Sequence, residues 1–408
     1  MTLTEASYWT RKGGVLGGAG IIGIVLLWQA INLISPGPKI PEKYLVPNNE
    51  CGILPAITLS SLDIPADFSN IEIETETGQY PDLPKIVNVY QFEPTAGQLD
   101  ARTSAITIAE AFGFSPDTIT RPSYSEYSFQ NQTLGRTLIV ETSNNNFTIT
   151  TDLSLIRTTS EVPDPDLAKQ IAMRYLSQFN VDSSIIDETL SQVTYFTIGA
   201  GNVPTPTNSR IEAKFVRIDL YKKIELVSVE EQYIKSKELG QYLNDILPES
   251  PTKRVTSESG QVILHYFSVP IISDKPYTSN INLAIKGNKM YGGNVDDLIS
   301  ARNINWPLIQ TPCGTHSLIG EDMAIERVKN EGGYLVDLTF AGAEHNSPLP
   351  NDISITSFRV FDISLAYLDT VAKQDYLQPI YVVEGEAQTN QGTANFIIYV
   401  PAIDYSLG

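Results

Sequence analysis

Histidine and cysteine are the side chains best suited to acid–base, nucleophilic or metal chemistry, and this sequence holds few of them. There are 3 His and 2 Cys in 408 residues, and none of the histidines has a partner at metal-ligand spacing. The run CGTH places Cys313 close to His316, as a nucleophile and its base would be. A catalytic cysteine also needs a helix terminus or a cation that lowers its pKa, and the neighbouring residues supply neither. We therefore predict no catalytic residue, no metal ligand and no cofactor site.

Other recognisable sites are missing from the sequence as well. It contains no G-x-S-x-G, HExxH, P-loop or dinucleotide fingerprint. The acidic pairs Asp164/Asp166 and Asp296/Asp297 lack the spacing of a calcium loop. The formal net charge of −19 repels nucleic acid, and no basic cluster offsets it. The composition thus predicts a protein that is not an enzyme and does not bind nucleic acid.

Cys51 and Cys313 are the only cysteines, and two alternatives are open for them. In an oxidising compartment they would form one disulfide that closes a long loop. In a reducing one they would be two unpaired thiols.

The stretch 13–34, GGVLGGAGIIGIVLLWQAINLI, carries no charge and has the length of a helix that crosses a bilayer. A signal peptide would have a shorter apolar run and a small-residue cleavage site, and a buried globular helix would show a polar face. We therefore predict a single-pass membrane anchor at 13–34, a cytoplasmic tail at 1–12 and a Pro-rich stalk at 35–56. The Thr-, Asn- and Ser-rich remainder predicts that the bulk of the chain is extracytoplasmic.

Small residues recur at four-residue spacing in the predicted anchor, at Gly13 and Gly17 and at Gly14 and Gly18. Such spacing lets two membrane helices approach closely, which predicts a homodimer through this face. The alternative is that glycine is simply common in membrane helices.

The remainder of the chain alternates helix-like and strand-like patterns. Residues 99–114 and 166–179 each place apolar side chains on one helical face, and each is followed by alternating strand patterns. Setting Ala105 against Ala168 aligns the two helices, which suggests a tandem duplication. We predict an α+β fold of three units, a first at 57–160, a second with an insertion at 161–310 and a C-terminal unit at 311–408.

The C-terminal block, LAYLD at 365–369, YLQPIYVVEGEA at 376–387 and NFIIYVPAI at 395–403, carries a family resemblance. Together with the anchor, the stalk and the repeated units, it resembles the YycH/YycI-type envelope regulators of a Gram-positive two-component system. It looks closer still to uncharacterised single-pass proteins of candidate-phylum bacteria. The resemblance implies a PepSY-like fold with no catalytic residues and a partner protein at or outside the membrane.

These observations predict a membrane-anchored extracytoplasmic protein that is not an enzyme and that regulates an envelope protein by binding it. The alternative is an envelope structural protein or adhesin that binds glycan or surface polymer through its 20 tyrosines. A wall hydrolase would require a pocket that gathers His316, Cys313 and a carboxylate.

Overall fold

Strands dominate the computed structural model, which describes residues 40–75, 83–94, 100–156, 161–178, 186–234, 249–257, 260–287, 295–341, 343, 345 and 349–405. The strands are β1 (Ile71–Ile73), β2 (Ile86–Gln91), β3 (Thr120–Ser123), β4 (Glu126–Asn131), β5 (Arg136–Glu141), β6 (Phe147–Thr151), β7 (Ile186–Ile198), β8 (Pro204–Thr207), β9 (Phe215–Glu230), β10 (Glu249–Ser257), β11 (Gly260–Ile272), β12 (Ile281–Lys286), β13 (Leu298–Asn303), β14 (Gly314–Ser317), β15 (Tyr334–Phe340), β16 (Ile355–Leu368), β17 (Tyr376–Thr389) and β18 (Gly392–Pro401). The helices in these ranges are α1 (Ala101–Ala111), α2 (Pro165–Gln178), α3 (Glu231–Ile234) and α4 (Glu321–Glu331).

The predicted α+β class is therefore wrong, because the protein is mostly β. Strands β12, β13 and β15 were not expected from the sequence. In β12, five consecutive residues are buried, since the strand is hydrogen-bonded between β9 and β13 and covered on both faces. Strands of this kind lack the polar–apolar alternation that identifies a half-exposed strand.

The predicted membrane anchor also needs correction. Among the residues that the structure describes, no helix is long and apolar enough to cross a membrane. The three longer helices have 11, 14 and 11 residues, below the ~20 that a bilayer requires. The stretch 13–34 with its glycine face lies outside the described residues, as does the tail 1–12. The predictions of a single-pass location, a membrane partner and a helix-mediated homodimer accordingly have no support in the structure.

Strands from residues 57–160 and 161–310 are joined in one antiparallel sheet. Its strand order is β3-β4-β5-β6-β13-β12-β9-β7-β8, and β6 of the first unit pairs with β13 of the second. Helices α1 and α2 cover one face of this sheet. Their alanines Ala105, Ala109, Ala168 and Ala172 are buried in a single core with the strands, because a side chain that small lets a helix approach a sheet closely.

The C-terminal residues build a second sheet of order β15-β18-β17-β16, with β1 added parallel to the outer edge of β16. Its inner face, together with α4, β2 and the ends of β9 and β11, forms the largest core of the described residues. Long strand β9 joins the two sheets. Residues 215–220 of β9 pair with β12, and residues 222–230 pair with β11, whose end pairs with β16.

The predicted stalk packs against the body where the structure describes it. Residues 40–75, which we call the N-terminal strap, run along the C-terminal sheet. Lys43 Nζ lies 2.8 Å from Glu230 Oε1, the Asn48 side chain accepts a hydrogen bond from Thr315 N, and the Phe68 ring stacks on Phe358. A Cβ on Gly314 would come within 2.8 Å of Glu50 N, which shows how closely the strap approaches β14.

We expect Gly385→Ala to lower the free energy of unfolding by about 3 kcal/mol. Gly385 pairs with Val360 of β16 beside a β-bulge, and a Cβ there would come within 1.9 Å of the Arg359 carbonyl oxygen. A backbone atom held in a sheet ladder cannot move aside as a flexible side chain would. Urea unfolding measures the loss. Gly320→Ser is the matched control because its Cβ would meet no atom within 4 Å, and an equal loss in both variants would contradict the steric argument.

Candidate functional site

A cleft of about 200 Å³ opens at the junction of the two sheets, and three tyrosines from different elements line it. Tyr221 comes from β9, Tyr277 from the loop after β11 and Tyr399 from β18. Glu384 of β17 also lines this cleft, which we call the tyrosine cleft. The remaining lining groups are apolar side chains, two serine hydroxyls, the amide of Gln192 and the exposed Lys275.

Strand alternation explains why a carboxylate faces this cleft. Successive side chains of a strand point to opposite faces of the sheet. Tyr381 and Val383 point into the main core, so Val382 and Glu384 point to the other face. Cross-strand pairing places Glu384 beside Ile397, and Ile397 in turn beside Asp337. On the other side Glu384 pairs with Asp362, so one row across the sheet carries three carboxylates.

The backbone of Tyr277, whose side chain lines the cleft, has a left-handed conformation with φ of 58°. Two contacts fix the loop that carries it. Arg217 Nη2 donates to the Tyr277 carbonyl oxygen at 3.3 Å, and Ser273 Oγ donates to the Thr278 carbonyl oxygen at 2.7 Å. Arg217 is itself paired with the buried Asp219 at 2.7 Å. The ring of Tyr277 is thus positioned by backbone contacts rather than by the cleft.

His345 lies directly behind Tyr277. The two rings stack with centroids 3.7 Å apart. His345 Nδ1 lies 3.0 Å from Asp337 Oδ2 and 3.1 Å from Thr339 Oγ1. Asp337 and Thr339 are buried, so this hydrogen-bonded group orients the imidazole against the outer side of the cleft wall.

The acidic side chains make the electrostatic potential in the tyrosine cleft negative. Burial raises the pKa of Glu384 above its ordinary value of 4.5, and the neighbouring Asp362 raises it further, while His345 opposes the shift. Burial, Glu384 and Asp337 raise the pKa of Tyr277 to about 12. The pKa of Tyr399 is also raised, first by burial and then by Tyr221 and Glu384. The tyrosines are therefore neutral at physiological pH, and the carboxylates set the sign of the field.

The three histidines lie on separate strands or loops, and the two cysteines are bonded to each other. Cys51 and Cys313 form a disulfide with an S–S distance of 2.01 Å, which is one of the two open alternatives. His316 is buried on β14, and burial lowers its pKa. His265 lies on β11 opposite Val229. Of the three histidines, His345 is the one that contacts a residue of the cleft, through its stacking on Tyr277.

Sequence reasoning did not single out Glu384, Tyr277 or Tyr221. The sequence did contain a signal for Glu384. This charged residue directly follows the apolar run PIYVV, at a position that strand alternation places on the same face as Val382. Tyr277 and Tyr221 gave no such signal, since their proximity depends on how β9 and β11 join the sheets. Among the described residues, no group of three or more His, Cys, Asp or Glu is arranged to hold a metal ion.

Comparison with known proteins assigns no family to the chain. No family model matches it, and no curated protein matches it. A solved structure of an uncharacterized protein from Eubacterium rectale ATCC 33656 is similar, with a TM-score of 0.34 and 10% sequence identity over 81% of this chain and 87% of that chain. A similarity this low supports neither a fold nor a function. The resemblance to YycH/YycI-type regulators stays a prediction, because no match concerns those proteins.

Proposed function

We propose that this chain is a non-enzymatic binding protein that takes a positively charged side chain of a partner protein, lysine or arginine, into the tyrosine cleft. The observation that carries the proposal is Glu384, a half-buried carboxylate set among three tyrosine side chains.

The chemistry of the lining favours a cation over an anion or a neutral group. Aromatic rings attract cations through their negative faces, by about 0.5–2 kcal/mol depending on desolvation. Glu384 would add a charge-assisted hydrogen bond, which is about twice as strong as a neutral one. Asp337 and Asp362 lie in the same row of the sheet. The net charge of −19 would also draw a basic partner from a distance.

Three basic side chains lie near the cleft and bear on this attraction. Arg217 is paired with Asp219, and His345 faces Asp337. Lys275 is exposed beside the opening. The two inner groups thus have carboxylate partners of their own, which leaves Glu384 as the carboxylate available to an incoming cation.

Binding rather than catalysis is favoured by the surroundings of His345. The hydroxyl nearest to its imidazole belongs to Thr339, and that hydroxyl also donates to Asp337 Oδ2 at 2.8 Å. A nucleophile that is activated by histidine would instead need the imidazole as its sole base and an open path to substrate.

We expect N-acetyl-arginine amide to bind at least 10-fold more tightly than N-acetyl-citrulline amide, its uncharged analogue, in isothermal titration calorimetry. Glu384→Gln should remove that preference. Glu386→Gln is the matched control, because Glu386 lies two residues along the same strand and pairs with Arg359 instead. Equal binding of the two amides, or an unchanged preference in Glu384→Gln, would overturn the proposal.

The glycan-binding alternative gives a different pattern in the same assay. A neutral sugar would stack on the tyrosines with little dependence on charge, so its binding would survive Glu384→Gln and high salt. A cation would bind more weakly as the ionic strength rises.

We also expect Glu384→Gln to raise the free energy of unfolding at pH 7, by less than about 1 kcal/mol because the group is partly solvated. Folding raises the pKa of the Glu384 carboxyl, so its ionised form destabilises the folded state at high pH. Below the pKa that the carboxyl has in the unfolded chain it is protonated in both states and does not affect the free energy of unfolding. The difference between variant and parent should therefore vanish as the pH falls to about 4 and below. Chemical unfolding at pH 4 and pH 7 checks the sign, and a destabilised variant at pH 7 would contradict it.

A further inference from the structure

A second cleft, of about 220 Å³, lies on the opposite side of strands β9 and β11 from the tyrosine cleft. Alternation along the strands produces this arrangement. Tyr221 lines the first cleft and Lys222 the second, and Ile272 lines the first and Ile271 the second. We call the second site the Lys222 cleft.

The inner wall of the Lys222 cleft is a buried ion pair. Lys222 Nζ lies 2.8 Å from Asp369 Oδ2, and the two side chains are only 9% and 3% exposed. Lys222 Nζ also donates to Asn305 Oδ1 at 3.2 Å. An ammonium has three N–H donors, so one is left without an acceptor within the described ranges. Asp369 Oδ1 likewise has no hydrogen-bond partner there.

These two unsatisfied groups belong to one ion pair, so a donor and an acceptor stand side by side. An unsatisfied buried polar group costs about 1–3 kcal/mol, which favours any ligand that pairs with it. The charges of Lys222 and Asp369 cancel. A charged ligand group would therefore lose its hydration without a compensating partner at this wall.

Buried apolar side chains line the inner part of the cleft, and polar side chains surround its opening. Phe92, Trp306 and Leu377 are buried there, and the charged and amide groups Glu93 and Gln310 are exposed at the opening. Lys223 also lines the cleft and is paired with Asp187 at 2.9 Å. The site therefore combines an apolar body with one polar, electrically neutral end, which is the usual composition of a small-molecule pocket.

We propose that the Lys222 cleft binds an uncharged ligand with an apolar body and a terminal carboxamide. The carboxamide oxygen accepts the third N–H of Lys222, its NH₂ group donates to Asp369, and the apolar body packs on Trp306 and Phe92. This site is separate from the tyrosine cleft and from the cationic ligand proposed for it.

Three probes of the same size test the proposal by isothermal titration calorimetry. They are 3-phenylpropanamide, 3-phenylpropanoate and 3-phenylpropylammonium. We expect the amide to bind at least 10-fold more tightly than either ion. Tighter binding of the ammonium would place the ligand at Glu93, tighter binding of the carboxylate would place it at Lys223, and equal or undetectable binding of all three would show no amide site. Each of these results overturns the proposal.

Two variants test whether 3-phenylpropanamide binds in the Lys222 cleft. Leu308→Trp fills the opening from a partly exposed position and should abolish binding while leaving the ion pair intact. The double substitution Lys222→Met with Asp369→Leu should remove the preference for the amide. Glu386→Gln, which is distant from this cleft, should bind the amide as the parent does. Full binding in a folded Leu308→Trp variant would exclude this site.

Discussion

Replacing both cysteines with serine should lower the free energy of unfolding by about 2–5 kcal/mol. The bond between Cys51 and Cys313 spans 262 residues, and a crosslink that closes a loop this long removes much of the entropy of the unfolded chain. It also ties the N-terminal strap to β14. Urea unfolding of the parent and of the Cys51→Ser, Cys313→Ser variant, both without reductant, measures the difference.

Reduction provides the control for this prediction. The parent in excess dithiothreitol should unfold at the urea concentration of the serine variant, and the variant should not respond to the reductant. The strap is further held by hydrogen bonds from Tyr376 Oη to the Cys51 carbonyl oxygen and from Gln378 Nε2 to the Pro55 carbonyl oxygen. If parent and variant unfold at the same urea concentration, these contacts rather than the disulfide hold the strap.

The second large effect is expected at the buried ion pair. Lys222→Met should lower the free energy of unfolding by about 3–5 kcal/mol, because it leaves the charge of Asp369 buried and uncompensated. Asn305 would also lose the ammonium that donates to its side-chain oxygen. Urea unfolding at pH 7 measures the loss.

Two comparisons make this prediction specific. The double substitution Lys222→Met with Asp369→Leu should recover most of the stability, since both charges are gone and apolar groups fill the space. Arg210→Met breaks the exposed pair with Glu161, whose side chains are 42% and 46% exposed. It should cost less than about 1 kcal/mol. A double variant as unstable as the single one would show that packing, and not the unpaired charge, causes the loss.

The periodicity of apolar residues in the sequence was sufficient to predict helices and strands that have one exposed face. The pattern over 99–114 contains α1 (Ala101–Ala111), and the pattern over 166–179 nearly coincides with α2 (Pro165–Gln178). Strand β5 (Arg136–Glu141) is regular in the same way, with its buried residues at alternate positions. In each case the buried face repeats at the period of its element.

Elements whose environment is set by distant residues could not be predicted in this way. Strand β15 is hydrogen-bonded to β18 on one edge, and the strap residue Leu62 donates to its Leu335 carbonyl oxygen. The Pro-rich segment 35–56 is predicted as a stalk. Its described residues include a 3₁₀ helix at Glu42–Tyr44 and contact Glu230 and Thr315, partners that the spacing of prolines does not encode. The pairings of β13 with β6 and of β14 with β2 likewise involve partners far away in sequence.

The tyrosine cleft could not be predicted from the sequence for the same reason. Glu384, Tyr277 and Tyr221 lie on three separate strands or loops, and only the junction of the two sheets brings them together. The composition indicated an acidic protein rich in tyrosine, but no spacing of residues along the chain encodes the cleft.

The parallel pairing of β1 with β16 has a consequence for biosynthesis. Ile71 pairs with Phe358, so the strap cannot dock on a ribosome-bound chain before most of the sequence has been translated. The first sheet is complete once β13 has emerged, whereas β1 and Cys51 must await partners made later. Contacts between residues this far apart in sequence form slowly. Docking of the strap is therefore a late step of folding, and oxidation of the two cysteines then ties the strap to the residue that precedes β14.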